Sequence, residues 1–148
     1  MTTKLKDREN TIVLWVDDNP SLRKLAERAL SKAGFECVTA SSGDEAITMM
    51  EHIDPDLILL DIEMPGMNGF ETCASIQVIR KQSGHDLIPI LMVSGHDDLE
   101  YLEQAYDLGI NDIVLKPINW KSLVYRMRFI LNASNSFETT HPSFQQQI

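Results

Sequence analysis

Cysteine is scarce: two in 148 residues, Cys37 and Cys73, too few for a disulfide scaffold and without the CxxC spacing of zinc or redox pairs. They fall in an expected strand and an expected helix, where unpaired cysteine packs as a small apolar residue. The four histidines, His52, His85, His96 and His141, also lack metal-ligand spacing and read as solvated surface. Positive charge is short too. Thirteen Lys and Arg stand against 22 Asp and Glu, a net charge of -9, which disfavours direct binding to the phosphate backbone of nucleic acid. No apolar run approaches a membrane span, and the polar segment Met1 to Asn10 has no apolar core of a signal peptide. A soluble, cytoplasmic protein with no membrane partner is the expectation. No internal repeat is present.

What is there is a hydrophobic content of 43%, enough for the buried core of one domain. Four apolar runs each end in a reactive polar residue. Ile12 to Val16 ends in Asp17-Asp18, Leu57 to Leu60 in Asp61, Ile88 to Val93 in Ser94, and Ile113 to Leu115 in Lys116-Pro117. If the runs are parallel strands, their carboxyl ends share one rim, where open α/β sheets bind ligands. Three carboxylates, a hydroxyl and an ammonium then converge. That set suits a divalent cation and a phosphoryl group, since cation and lysine neutralise the carboxylates and stabilise phosphate oxygens.

The intervening segments support strands alternating with helices. Asn19-Pro20 opens a first helix as N-cap and first-turn proline, Leu22, Leu25, Ala26, Ala29, Leu30 and Ala33 follow helical period, and Gly34 stops it. Phe35 to Ala40 reads as a second strand. Ser42 and Glu45 have capping-box form before a helix with the stripe Ala46, Ile47, Met50 and Ile53, ended by Asp54-Pro55. Leu57 to Leu60, apolar without alternation, is a strand covered on both faces. Met64 to Gly69 is a turn-rich loop, and a helix follows from about Phe70 to Lys81. Pro89 to Val93 is the fourth strand. Asp97 or Asp98 caps a helix through Leu108, Asp112 to Leu115 is the fifth strand, and Trp120 to Leu131 the fifth helix. Trp15 is expected in the core, and Trp120 partly exposed or against the tail. Five alternations imply a parallel sheet with right-handed crossovers. The chain divides into an N-terminal tail over 1–10, a domain over 11–131 and a polar segment over 132–148, read as a disordered tail or a linker to something longer.

Asp17-Asp18, Asp61, Ser94 and Lys116-Pro117, with the loop Met64-Pro65-Gly66-Met67-Asn68-Gly69, resemble the receiver domain of bacterial two-component response regulators over about Ile12 to Leu131. The resemblance implies a flavodoxin-like (βα)5, doubly wound five-stranded sheet in the order 2-1-3-4-5. It implies a signalling domain rather than an enzyme, a phosphoprotein in a phosphorelay. Asp61 would accept a phosphoryl group from the phosphohistidine of a sensor histidine kinase or phosphotransfer protein. Magnesium would be held by Asp18 as the direct ligand, by Asp17 through water, by Asp61, and by the backbone carbonyl of Glu63. Lys116 and Ser94 would contact the phosphoryl oxygens, and the inward movement of Ser94 would report phosphorylation. The Lys116-Pro117 bond is cis in such domains, Gly95 leaves room for the phosphoryl group, and Glu63 and His96 occupy flanking positions that tune its lifetime.

One departure stands out: Ile113 occupies a position that is usually Tyr or Phe, which removes the aromatic half of the usual coupling. Asp17-Asp18 alone would also fit helix caps, but a cap needs no lysine across the rim. Two other classes compete. An aspartate-nucleophile phosphatase of the haloacid dehalogenase type shares the magnesium and the aspartyl phosphate, yet it carries its nucleophile after the first strand, where this chain has adjacent acids. A scaffold with a decayed site is disfavoured by the intact cluster. The Lys-Pro-Ile-Asn-Trp stretch is weakly similar to receivers that precede cyclic-dinucleotide enzymes. Homodimerisation through the fourth helix, fifth strand and fifth helix is common in the family.

Overall fold

The computed structural model describes residues 10–147, with side chains as far as Ser134. The expected tail over 1–10, Asn10 apart, and Ile148 lie outside the described residues. Five strands, β1 (Ile12–Val16), β2 (Glu36–Ala40), β3 (Leu57–Asp61), β4 (Ile90–Ser94) and β5 (Asp112–Leu115), alternate with five helices. These are α1 (Pro20–Lys32), α2 (Gly43–Met49), α3 (Gly69–Gln82), α4 (Leu99–Asp107) and α5 (Trp120–Gln147). All pairings are parallel, and the sheet order is β2-β1-β3-β4-β5. Among the described residues, no helix is long and apolar enough to cross a membrane.

Strand alternation sorts the core into two layers. Val13, Trp15, Leu57, Leu59, Leu91 and Val93 pack against Ala26 and Leu30 of α1 and Leu123 and Met127 of α5. Leu14, Val16, Ile58, Leu60, Ile90 and Met92 face Ala46 of α2, Cys73 and Ile76 of α3 and Ala105 of α4. Both faces of β3 and β4 are therefore buried at every position, which is why their sequences are apolar without alternation. Each fully buried Leu or Ile contributes about 1.5–3 kcal/mol relative to exposure. Burial pushes the Cys73 thiol up to about 11, and burial with the nearby Glu27 charge pushes Cys37 up to about 12. Packing, not reactivity, is their role.

Several local expectations change. Asn19 caps α1, accepting from the Ser21 and Leu22 amides, but Leu25 in the supposed buried stripe is half exposed. Ser42 caps α2 by accepting from the Glu45 amide. The Glu45 carboxylate turns to the Ser41 amide and hydroxyl instead, so only half of the expected box forms. That helix ends at Met49, before Ile53 and Pro55. A complete box forms at α3, where Asn68 and Glu71 serve each other's backbone amides. Asp98 precedes α4 without a side-chain cap hydrogen bond. Helix α5 continues past Leu131 to Gln147, through the segment expected to be a tail. Residues 120–147 contain no glycine and only Pro142 as a breaker, and extending a helix already docked through Leu123 and Met127 costs far less than starting one.

Candidate functional site

Parallel register carries the polar run ends to one rim. Val16 lies opposite Leu60, Asp61 opposite Val93, and Ser94 opposite Leu115. Asp17 and Asp18, Asp61, Ser94 and Lys116 consequently follow or close β1, β3, β4 and β5 side by side. One carboxylate oxygen each from Asp17, Asp18 and Asp61 lies within 4.8 Å of the other two. Asp17 and Asp61 are buried, and Asp18 is exposed.

The β1–α1 turn anchors Asp17. Its Oδ1 accepts from the Asn19 amide at 2.9 Å, and its carbonyl accepts from Arg23 Nη1 at 2.8 Å. Its Oδ2 is buried with no hydrogen-bond partner. A buried carboxylate oxygen without a partner costs desolvation that nothing repays. A hard cation ligated by oxygen repays it, so the donor set fits magnesium.

Asp61 is 3% exposed and pairs with Lys116 Nζ at 3.2 Å. Burial, then the Asp17 charge, raises its carboxyl from 3.8 to about 6, with Lys116 pulling down and Glu63 adding a smaller upward push. The lysine is thus outweighed. A group so perturbed at a rim of convergent polar residues marks a functional site.

Opposite Asp61, Ser94 donates its hydroxyl to Glu63 Oε2 at 2.7 Å, and the Gly95 amide donates to Glu63 Oε1 at 3.1 Å. The His96 amide donates to Ser94 Oγ at 2.9 Å. The resemblance gives Glu63 a backbone-carbonyl ligand and a flanking position, but names no partner for its side chain. Its carboxylate engages donors 31 and 32 positions away, a pairing that spacing along the chain does not signal. His96 is exposed, as are His52 and His85, while His141 lies beyond the described side chains. The His96 and Phe70 rings each lie 5.5 Å from that of Tyr101. Ile113 is half buried and packs into the core. The Lys116-Pro117 bond is cis. Trp120 is partly exposed, as expected, and its ring lies 5.5 Å from that of Trp15 at a tilt of 35°.

Gly69 is the tightest point beneath the site. Its amide donates to the Ile62 carbonyl at 2.9 Å, and a Cβ there would lie 2.5 Å from the Asp61 carbonyl oxygen and 2.7 Å from Ile62 Cα. Those neighbours are backbone and cannot turn away. Gly69→Ala is therefore expected to destabilise the fold by about 1–3 kcal/mol and to displace Asp61. Chemical denaturation, with amide spectra of Asp61 and Ile62, checks it; an unchanged midpoint contradicts it. A Cβ on Gly95 would come no closer to its neighbours than 3.9 Å, at Glu63 Oε1.

The same elements recur in known proteins. A family model described as the response regulator receiver domain matches residues 13–128. A probable transcriptional regulator, ycf27, of Guillardia theta is 40% identical over 123 residues, covering 83% of this chain and 46% of that protein. The chain spans about half the length of this and two other curated relatives. The solved chemotaxis protein CheY4 of Vibrio cholerae superposes with a TM-score of 0.73 at 32% identity, covering 80% of this chain and 97% of that one. The response regulator TrrA of Thermotoga maritima, solved in complex with Mg2+-BeF, gives 0.69 at 28% identity, covering 80% and 96%. With the family model matching from β1 into α5 and the sheet order in agreement, the chain belongs to the response regulator receiver domain family.

Proposed function

We propose that this domain accepts a phosphoryl group on Asp61 from the phosphohistidine of a sensor histidine kinase or phosphotransfer protein, in the cytoplasm, and passes the change to an output. The observation that carries this reading is the buried, unpartnered Asp17 Oδ2 beside Asp61, which itself holds Lys116. An Asp61 carboxylate oxygen attacks phosphorus, the P–N bond breaks, and its electron pair leaves with the donor imidazole. Lys116 meets a phosphoryl oxygen as it approaches, and Ser94 donates its hydroxyl to another. Asp17, Asp18, Asp61 and the Glu63 carbonyl would hold magnesium. When bound, that cation neutralises the carboxylates and the incoming phosphoryl charge. The orphaned oxygen gives Asp17 at least the standing of Asp18 as a direct ligand.

Residues 132–148 would connect to an output domain in a longer protein. The name of one relative, the DNA-binding response regulator MtrA of Mycolicibacterium smegmatis, favours a DNA-binding output over a cyclic-dinucleotide enzyme; the acidic receiver itself would not contact nucleic acid. The exposed Leu99, Leu102, Tyr106, Leu115, Tyr125 and Phe129 of α4, β5 and α5 suit the family's homodimer face.

Acetyl phosphate with magnesium tests the reading. One phosphoryl group is expected per chain, mapped by peptide mass to Asp61, dependent on magnesium and lost in Asp61→Asn. Labelling that survives Asp61→Asn, or repeated turnover of an aryl phosphate, contradicts it and favours a phosphatase.

A further inference from the structure

The Ser94 hydroxyl has one proton to donate, and Glu63 holds it. The 2.7 Å separation is in the range of charge-assisted bonds to a carboxylate. The second oxygen of the same carboxylate takes the Gly95 amide. A carboxylate gripping a hydroxyl and an adjacent amide makes the demand that two phosphoryl oxygens would make. We propose that the Glu63 side chain is a built-in competitor for the phosphoryl group: it occupies the Ser94 hydroxyl and the Gly95 amide while Asp61 is unmodified, and must release both before they can turn to a phosphoryl group. The inference rests on the phosphoacceptor reading of Asp61 and Ser94.

A displaced Glu63 has somewhere to go. Beside it an open groove of about 490 Å3 runs between the β3–α3 loop and α4, lined also by Pro65, Asn68, Phe70, Tyr101 and Gln104. The clasp therefore links two states. In one, Glu63 bridges the β3–α3 loop to the end of β4. In the other, the β4 end is free to close on Asp61, and the loop is untethered from it.

The clasp differs from simple charge repulsion between Glu63 and an incoming anion, and Glu63→Asp separates the two. It keeps the charge while shortening the arm by one methylene, so both donors cannot be reached at once. Glu63→Ala removes clasp and charge together. Isothermal titration of the full chain with beryllofluoride in millimolar magnesium measures anion affinity without covalent chemistry. Both variants are expected to bind roughly tenfold more tightly than the parent, about 1.4 kcal/mol, and the gain from Glu63→Ala should shrink in a Ser94→Ala background because it passes through that hydroxyl. The Gly95 amide proton should also move upfield in Glu63→Asp, a readout independent of anion binding. Parent-like affinity in Glu63→Asp, an undiminished gain without Ser94, or an unmoved Gly95 resonance overturns the clasp. A parent that fails to bind beryllofluoride with magnesium overturns the phosphoacceptor reading, and the clasp with it; a parent that binds beside unaltered variants overturns the clasp alone.

Discussion

Without metal, the protein is expected to lose stability as pH rises from about 4 to about 6, and Asp61→Asn to remove most of that loss. The Asp61 carboxyl is raised from 3.8 to about 6 in the fold, by burial first and the Asp17 charge second. Between those values the folded chain keeps a proton that the unfolded chain has released, so the folded state binds more protons and stability falls with rising pH. The penalty is absent below 3.8 and fully present above about 6. Keeping that carboxylate charged in the fold costs about 3 kcal/mol at most, a large share of a small domain's stability. Magnesium at millimolar concentration should restore it at neutral pH by binding only the folded state. Asp18 is exposed, where solvent screens its carboxylate from the buried pair, so Asp18→Asn should gain less than Asp61→Asn without metal. Urea titrations across the window, with and without magnesium, check the prediction. A metal-free parent whose stability is level or rising there contradicts it.

Lys116→Ala is expected to slow phosphorylation by acetyl phosphate by about 10²–10³-fold, the usual effect of removing one preorganised electrostatic contact to developing charge. Metal affinity should change by less than about tenfold, or 1.4 kcal/mol, because the ammonium faces Asp61 Oδ1 and is no metal ligand. Asp61 also loses the cation that pulls its carboxyl down, so it should titrate higher than in the parent. Single-turnover labelling followed by mass, calorimetric magnesium titration and carboxyl carbon spectra measure the three effects. A rate within threefold of the parent would remove Lys116 from the assigned role.

The strands were legible because β3 and β4 are buried on both faces and their sequences could be nothing but apolar. Their order was not. Alternation of elements says that a sheet is parallel, but the placement of β1 between β2 and β3 came only with the resemblance. Asp17, Asp18, Asp61 and Lys116 were legible as run ends, since parallel strands share one rim. The side-chain partners of Glu63 were not, because Ser94 and Gly95 belong to a different strand end. The other misses were local: one half of a capping box and the far ends of two helices. Glu45 prefers Ser41 to the N-cap backbone of Ser42, and α5 continues where its apolar period stops, since periodicity reports burial and a helix needs none to extend.

The stacked indoles of Trp15 and Trp120 have an optical consequence. Trp15 lies in β1 two residues before Asp17, and Trp120 begins α5 four residues after Lys116. They are the chain's two tryptophans, their rings 5.5 Å apart and inclined by 35°. Transition dipoles that close couple as an exciton, giving a paired positive and negative band in circular dichroism whose sign follows the handedness of the pair. The coupling falls steeply with separation. No other indole dilutes the signal, so the unlabelled chain carries its own gauge of how α5 sits against the strand that ends in the acidic pair.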